Sequence, residues 1–158
     1  MDALIIFGAK YLWTIGIFVA VIFFILESLQ KKARLALFGV FVLPLAYMAA
    51  KIAGHFFYNP RPFVVGQFSP LIPHAADNGF PSDHVLLLAA VASLFFIYNR
   101  IIGIMLWILA VLVGISRVFA GIHHTVDIIG SATIAALISF IVFIFIHMLL
   151  KKFGDKKI

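Results

Sequence analysis

The stretch SRVFAGIHHTVD, residues 116–127, places an arginine, two adjacent histidines and an aspartate between two long apolar segments. Charged side chains and irregular backbone are costly in lipid, so this cluster is expected to face a cavity or the protein interior. His123 and Asp127 are four residues apart and face the same way once a helix begins, and an aspartate beside a histidine orients its ring. Gly121 permits a sharp turn that would let Arg117 point into the same pocket. The stretch therefore predicts a polar site between two apolar helices.

The composition indicates an integral membrane protein. Hydrophobic residues make up 65% of the 158 residues and charged residues only 11%, and the apolar residues occur in long blocks. Soluble domains contain about 25% charged residues. The length predicts one domain over residues 1–158. Because cysteine is absent, disulfides and thiolate metal sites are excluded.

Five apolar segments have the length of membrane-spanning helices or come close to it. They cover about residues 11–29, 33–57, 82–98, 101–119 and 125–150. The first segment lacks a basic start and a cleavage site and is predicted to be a retained helix. The connection 58–83 contains five of the six prolines and is predicted to be non-helical. The predicted fold is an all-α integral membrane protein, a bundle of about five transmembrane helices.

The basic residues predict the orientation of this bundle. The net charge is +6, and eight of the twelve basic residues stand at the ends of apolar runs. They are Lys31, Lys32, Arg34, Arg100, Lys151, Lys152, Lys156 and Lys157. Such residues mark the cytoplasmic ends of spans, and we favour this interpretation over nucleic-acid binding. The N-terminus is then predicted outside and the C-terminus in the cytoplasm, with the polar stretch at the outer membrane interface.

Two further polar islands are predicted on the same outer side. The first is NPRP at 59–62, which contains Arg61, with Lys51 ten residues before it. Both cations could simply be interfacial, reaching the headgroups. The second is PSDH at 81–84, where Ser82 is placed as a helix N-cap before an apolar run. The N–H groups of a helix N-terminus favour a phosphate, although a capped span with an interfacial histidine also fits this pattern.

Two kinds of chemistry could use these groups. A metal site could be built from His84, His123, His124 and Asp127, since imidazole and carboxylate suit zinc. In phosphoryl transfer, cations and a helix N-terminus would instead hold a phosphate while a histidine attacks it. The metal site leaves the lysine and the two arginines without a role, and these cations would weaken metal binding. Phosphoryl transfer uses every group and is favoured.

The three islands resemble the tripartite signature of the type 2 phosphatidic acid phosphatase superfamily, which includes bacterial lipid phosphatases and vanadium haloperoxidases. The signature is a lysine before Arg-Pro, then Pro-Ser-Gly-His, then Ser-Arg, five residues, a histidine, three residues and an aspartate. The first part is matched by Arg61-Pro62, and the second by Pro81, Ser82 and His84. The third is matched with its full spacing by Ser116, Arg117, His123 and Asp127.

The resemblance implies a reaction on a lipid phosphate without a metal or another cofactor. His123 would be the nucleophile that forms a phosphohistidine, and Asp127 would orient it. His84 would protonate the leaving oxygen and then activate water. The phosphoryl oxygens would be bound by Arg61, Arg117, Ser82, Lys51 and the backbone N–H of Asp83.

Three features depart from the general family pattern. Lys51 stands ten residues before Arg61 instead of seven, where Gly54 is found. Asp83 replaces the usual glycine, and its carboxylate would have to point away from a phosphate. Many members have six spans, and this chain is predicted to lack the first. Pro-Ser-Asp-His, and the Arg-Pro-Phe at 61–63, resemble the bacitracin-resistance type of undecaprenyl pyrophosphate phosphatase.

Together these features predict a phosphatase of the cell membrane that hydrolyses undecaprenyl pyrophosphate at a site facing the periplasm or the exterior. The alternative in the same class is a phosphatase for phosphatidic acid, phosphatidylglycerol phosphate or lipid A. A small channel or transporter is a remote alternative, against which the lack of an internal repeat argues. His74 and Asp77 are predicted on the outer loop, where they could gate the site or touch headgroups.

Overall fold

The computed structural model describes residues 1–152, and the regular secondary structure in that range is entirely helical. The helices are α1 (Asp2–Lys10), α2 (Leu12–Leu26), α3 (Leu29–Phe56), α4 (Pro62–Val65), α5 (Asp83–Tyr98), α6 (Arg100–Phe119) and α7 (Thr125–Lys152). The bounds of the five longer helices lie within four residues of those predicted. The connection 58–83 was predicted to be non-helical. It contains one helical turn, α4, which starts at Pro62. Lys156 and Lys157 lie outside the described residues.

Helix α5 forms the centre of the bundle. It packs against α2, α3, α6 and α7, and its residues Ala89, Ala90 and Ala92 are buried. Such small side chains let neighbouring helix backbones approach closely. Its 16 residues reach about 24 Å, which is less than the ~30 Å of a bilayer's hydrocarbon core. The apolar sequence of α5 therefore serves burial inside the protein.

The longer helices have the dimensions of membrane spans. Three are long and apolar enough to cross a membrane, namely α3, α6 and the Thr125–Leu149 part of α7. A fourth span results if α1 and α2, which meet at 46°, are taken as one broken span. The all-helical architecture is thus confirmed for residues 1–152, whereas a fifth span through α5 and the orientation of the termini stay predictions.

Apolar side chains also cover the outside of the bundle. Phe18 of α2, Val40 of α3, Ile108 of α6 and Phe140 of α7 are all more than half exposed. Contiguous apolar surface of this kind is rare on soluble monomers. The outer faces of these helices therefore suit contact with lipid.

The polar islands and the basic residues occupy opposite ends of the helices. The C-terminal ends of α3 and α6 and the N-terminal end of α5 contribute to one cavity. Lys31, Lys32 and Arg34 lie near the start of α3, and Arg100 is the first residue of α6. The fold thus separates these four basic residues from the end that carries the site.

Candidate active site

The three polar islands meet in one cavity of about 350 Å³. Its polar lining consists of Lys51, Arg61, His74, Asp77, Asn78, Asp83, His84, Arg117 and His123. Six of the eight site residues predicted from the sequence are in this lining. The other two, Ser82 and Asp127, are fully buried. The structure therefore brings together residues that are up to 76 positions apart between Lys51 and Asp127.

The ring of His123 is held between an aspartate and two arginines. Its Nδ1 lies 3.3 Å from Asp127 Oδ2. Its Nε2 lies 3.4 Å from Arg61 Nη1 and 3.4 Å from Arg117 Nη2. A guanidinium can only donate hydrogen bonds, so Nε2 must be the acceptor and the ring proton belongs on Nδ1, facing the carboxylate. This tautomer presents the Nε2 lone pair to the cavity.

Each arginine is fixed by oxygen atoms on its far side. Arg61 donates from Nε to Asp77 Oδ1 at 2.7 Å and from Nη1 to the carbonyl oxygen of Ile122 at 2.8 Å. Arg117 donates from Nη1 to the carbonyl oxygen of Ala9, at the end of α1, at 3.1 Å. Both arginines are at most 5% exposed. Two buried cations beside one imidazole make a site for an anion.

Asp127 is a fully buried acceptor on the first turn of α7. Its Oδ1 accepts from Asn59 Nδ2 at 2.7 Å, and its Oδ2 accepts from the backbone N–H of His124 at 2.8 Å. The same Oδ2 faces the ring of His123. A carboxylate near a helix N-terminus is favoured by the helix dipole as well. Asp127 therefore has one orientation, which fixes the ring beside it.

The turn between α6 and α7 supplies the geometry that the sequence predicted. Gly121 has φ 77°, in the left-handed region, and a Cβ there would lie 2.6 Å from the ring of Phe68. Only glycine meets both demands without strain. The turn allows Arg117, at the end of α6, and His123, before α7, to face each other.

Lys51 and Asp83 form an exposed ion pair in the lining of the same cavity. Lys51 Nζ lies 3.8 Å from Asp83 Oδ1, and the two side chains are 57% and 64% exposed. Ion pairs with this exposure contribute little to stability, typically about 0–1 kcal/mol. The pair therefore leaves both side chains able to move when a ligand binds.

Ser82 and His84 flank this pair at the start of α5. Ser82 is the N-cap residue as predicted, but its hydroxyl makes no capping hydrogen bond and has no partner in residues 1–152. Its carbonyl oxygen accepts from the Ser131 hydroxyl at 3.0 Å. His84 lines the cavity and packs edge-on against Trp13, with ring centroids 4.7 Å apart. The Ser82 hydroxyl is thus a buried polar group whose hydrogen-bonding capacity is not used within residues 1–152.

The connection before α5 contributes groups that the sequence did not assign to the site. Asp77 binds Arg61, and the Asn78 side chain ties the connection to the end of α3 through the carbonyl oxygens of Gly54 and Phe57, at 2.8 and 3.2 Å. Asn59 holds Asp127. The sequence signals for these contacts were the position of Asn59 two residues before Arg61 and the predicted position of Asp77 on the outer loop.

Burial and charge together set the protonation of the groups outside the helices. Burial lowers the pKa of His123, the hydrogen bond to Asp127 raises it, and the nearby arginines lower it again, with a net decrease. Burial raises the pKa of Asp77, but the hydrogen bond from Arg61 and its charge outweigh this and hold the pKa below its usual value. His123 is therefore neutral and Asp77 ionised at neutral pH.

The metal site considered from the sequence does not form as a cluster of ligands. Nowhere in residues 1–152 do three His, Cys, Asp or Glu side chains come close enough to share a metal ion. The His124 ring points elsewhere, with Nε2 3.1 Å from the carbonyl oxygen of Pro60. The ring of His123 instead lies beside two arginines, an arrangement that suits an anion.

Comparison with known proteins matches this chain to a family. The PAP2 superfamily model matches residues 35–151. The undecaprenyl-diphosphatase BcrC of Bacillus subtilis (strain 168) is 31% identical over 152 residues, which cover 94% of this chain and 77% of that protein.

Two solved structures share the fold. LpxE of Aquifex aeolicus has a TM-score of 0.72 at 22% identity, over 90% of this chain and 87% of that one. The PAP2 type phosphatidylglycerolphosphate phosphatase of Bacillus subtilis has a TM-score of 0.56 at 21% identity, over 93% and 84%. The resemblance seen in the three islands is confirmed, and the chain belongs to the PAP2 superfamily as a membrane lipid phosphatase.

Proposed function

We propose that this protein hydrolyses the terminal phosphate of undecaprenyl pyrophosphate through a phosphohistidine on His123. The observation that carries the proposal is the position of His123 Nε2, which is unprotonated and 3.4 Å from one N–H group of each buried arginine. A phosphoryl group placed there would meet a nucleophile and two donors at once. Stabilising the charge that develops on the phosphoryl oxygens is the main task in phosphoryl transfer.

The reaction then has two steps. His123 Nε2 forms a bond to the terminal phosphorus, and the bond from phosphorus to the bridging oxygen breaks. His84 gives a proton to that oxygen, so the lipid monophosphate leaves. A water molecule then transfers a proton to His84 and attacks phosphorus, which releases inorganic phosphate and frees His123. Asp127 holds the ring and stabilises its positive charge throughout.

The remaining predicted residues are assigned to binding. Arg61 and Arg117 take the phosphoryl oxygens, and the hydroxyl of Ser82 and the backbone N–H of Asp83 add donors at the start of α5. Lys51 swings from the carboxylate of Asp83 to the bound phosphate. Before the substrate binds, Lys51 holds this carboxylate, which is 64% exposed and can turn toward water once the lysine leaves. No metal takes part in these steps.

We also propose the orientation in the membrane. The α1–α2 pair, α3, α5, α6 and α7 form five spans, with α5 inside the bundle. The basic residues at the starts of α3 and α6 support a cytoplasmic position for those ends. The site then faces the periplasm or the exterior, where a diphosphate on a lipid carrier would meet it from the outer leaflet of the cell membrane.

The substrate assignment follows a relative that matches 94% of this chain. BcrC of Bacillus subtilis, named an undecaprenyl-diphosphatase, supports a lipid diphosphate. The fold neighbour named a phosphatidylglycerolphosphate phosphatase supports a monoester as the second candidate. Phosphatidic acid and lipid A, which are also lipid phosphates, are further candidate substrates.

A substrate panel tests this assignment. Purified protein in detergent with EDTA is expected to release phosphate from undecaprenyl pyrophosphate faster than from phosphatidylglycerol phosphate, phosphatidic acid or lipid A. Vanadate should inhibit the reaction, because it mimics the transferred phosphoryl group. The assay measures inorganic phosphate against time. Faster release from a monoester would move the assignment to the second candidate, and a requirement for added divalent metal would contradict the metal-free steps.

The pH dependence tests the state of His123. Because the pKa of His123 lies below its ordinary value of 6.5, the neutral, nucleophilic ring persists as the pH falls through 6.5. The acid limb of kcat/KM, which reports groups of the free enzyme, is therefore expected below pH 6.5. Initial rates measured from about pH 4.5 to 8 locate this limb. An acid limb centred above pH 6.5 would show that burial and the arginines do not lower the pKa of the His123 ring.

A further inference from the structure

His74 lines the cavity but has no part in the steps proposed above. Its ring centroid lies 6.3 Å from that of His123, with the planes at 73°. Its Nδ1 is 3.4 Å from the carbonyl oxygen of Ala75, near the limit of a hydrogen bond. The ring therefore lies near that of His123, and its Nε2 has no hydrogen-bond partner among residues 1–152.

The position of His74 is fixed by contacts on both sides of it. Before it, Ile72 is buried at 5% exposure, and the backbone N–H of Leu71 donates to the carbonyl oxygen of Ala120 at 3.0 Å. After it, Asp77 binds Arg61, and Asn78 binds the carbonyl oxygen of Gly54. The segment 71–78 is thus bound to three other parts of the chain. Such anchoring allows a short loop to place one side chain accurately.

A diphosphate needs a second place for its non-transferred phosphate. In an in-line attack the bridging oxygen lies opposite His123 Nε2, and the second phosphorus lies one bond further out. The two carboxylates in the lining are paired already, Asp77 with Arg61 and Asp83 with Lys51. His74 lines the same cavity, with its ring centroid 6.3 Å from that of His123. Its Nε2 becomes a donor when the ring is protonated.

We propose that His74 binds the phosphate that remains on the lipid and thereby selects lipid diphosphates over monophosphates. The inference rests on the proposed function, since it concerns the same reaction at His123. A monophosphate substrate has no group at that place and would not need the ring. His74 is thus a specificity-determining residue.

The electrostatics of the loop agree with such a role. Burial lowers the pKa of His74, and the charge of Arg61 lowers it further. Without a ligand, the His74 ring is therefore neutral and adds no third positive charge beside the two arginines. A bound phosphate would favour the imidazolium, in which both ring nitrogens donate.

The test compares two substrates that share one lipid chain, farnesyl diphosphate and farnesyl monophosphate. His74→Ala is expected to lower kcat/KM for the diphosphate by about 10- to 100-fold, the effect of one charge-assisted hydrogen bond, and for the monophosphate by less than about threefold. His74→Gln, which retains a donor, should recover part of the loss. His55→Ala is the matched control, because His55 is an exposed histidine near the end of α3 and outside the cavity lining.

The outcomes separate this inference from the proposed function. An unaltered protein that does not cleave the diphosphate contradicts the proposed function and the selection by His74 with it. An unaltered protein that cleaves the diphosphate, with equal losses for both substrates or no loss in His74→Ala, overturns only the inference. A loss confined to the diphosphate, absent in His55→Ala, supports it.

Discussion

Replacing His123 with alanine is expected to lower phosphate release by a factor on the order of 10⁴ or more, since loss of the nucleophile in comparable enzymes removes nearly all covalent catalysis. The two arginines would still bind the lipid, so the affinity for substrate should change much less than kcat. Initial rates of phosphate release in detergent micelles measure the loss. Rapid quenching with terminally ³²P-labelled substrate should give an acid-labile, base-stable label on the unaltered protein and none on His123→Ala.

The neighbouring histidine provides the control for this experiment. His124 precedes α7 as well, but its ring lies against the carbonyl oxygen of Pro60 and not in the cavity lining. His124→Ala is therefore expected to stay within about tenfold of the unaltered protein, the effect of one lost hydrogen bond. Retention of the covalent label in His123→Ala, or its loss in His124→Ala, would contradict the assignment of His123 as the nucleophile.

The part of the site that is local in sequence could be predicted from spacing alone. The spacing of four positions from His123 to Asp127 corresponds to one helical turn, and a glycine before them allows the reversal that brings Arg117 back. These relations depend on helix geometry and on the conformational freedom of glycine. The structure shows all three residues in the predicted arrangement, at 3.3 and 3.4 Å.

The contacts that fix the two arginines could not be predicted in this way. Arg61 is held by Asp77 across a proline-rich connection, and Arg117 is held by the carbonyl oxygen of Ala9, 108 residues away. A backbone carbonyl has no sequence signature, and a loop carboxylate has no periodicity that would show its direction. Packing of α1 against α6 decides the second contact.

The helices were predictable where hydropathy alone decides them, and less so where packing does. The bounds of α5 were predicted to within one residue, but its central position was not, and the burial of Ala89 and Ala92 places it at the centre of the bundle. The break at Tyr11 between α1 and α2 comes directly after Lys10, where the first apolar segment was predicted to start, but the bend itself was not predicted. Neither proline nor glycine marks it.

Replacing Asp127 with alanine is expected to impair both stability and activity. Asn59 Nδ2 and the His124 N–H would lose their acceptor in a fully buried place. Removing one partner from such a buried network costs about 3–5 kcal/mol, and for a chain of 158 residues each kcal/mol lowers Tm by about 2–4 °C. A thermal shift assay in detergent should therefore record a decrease of roughly 10 °C. The loss of ring orientation should lower kcat by a factor on the order of 10³.

Two further variants separate the effect on stability from that on the ring. Asp127→Asn retains the volume of the side chain and one acceptor, so it should lose less stability than alanine while still losing most of the activity, because the amide cannot stabilise the imidazolium. Asn59→Ala should lose stability but keep most of the activity. It removes the 2.7 Å hydrogen bond to Asp127 Oδ1 but leaves the carboxylate facing His123. Its cost should be about 1–2 kcal/mol in stability and tenfold or less in kcat. Equal loss of kcat in Asn59→Ala and Asp127→Asn would mean that the site depends on the position of the carboxylate and not on its charge.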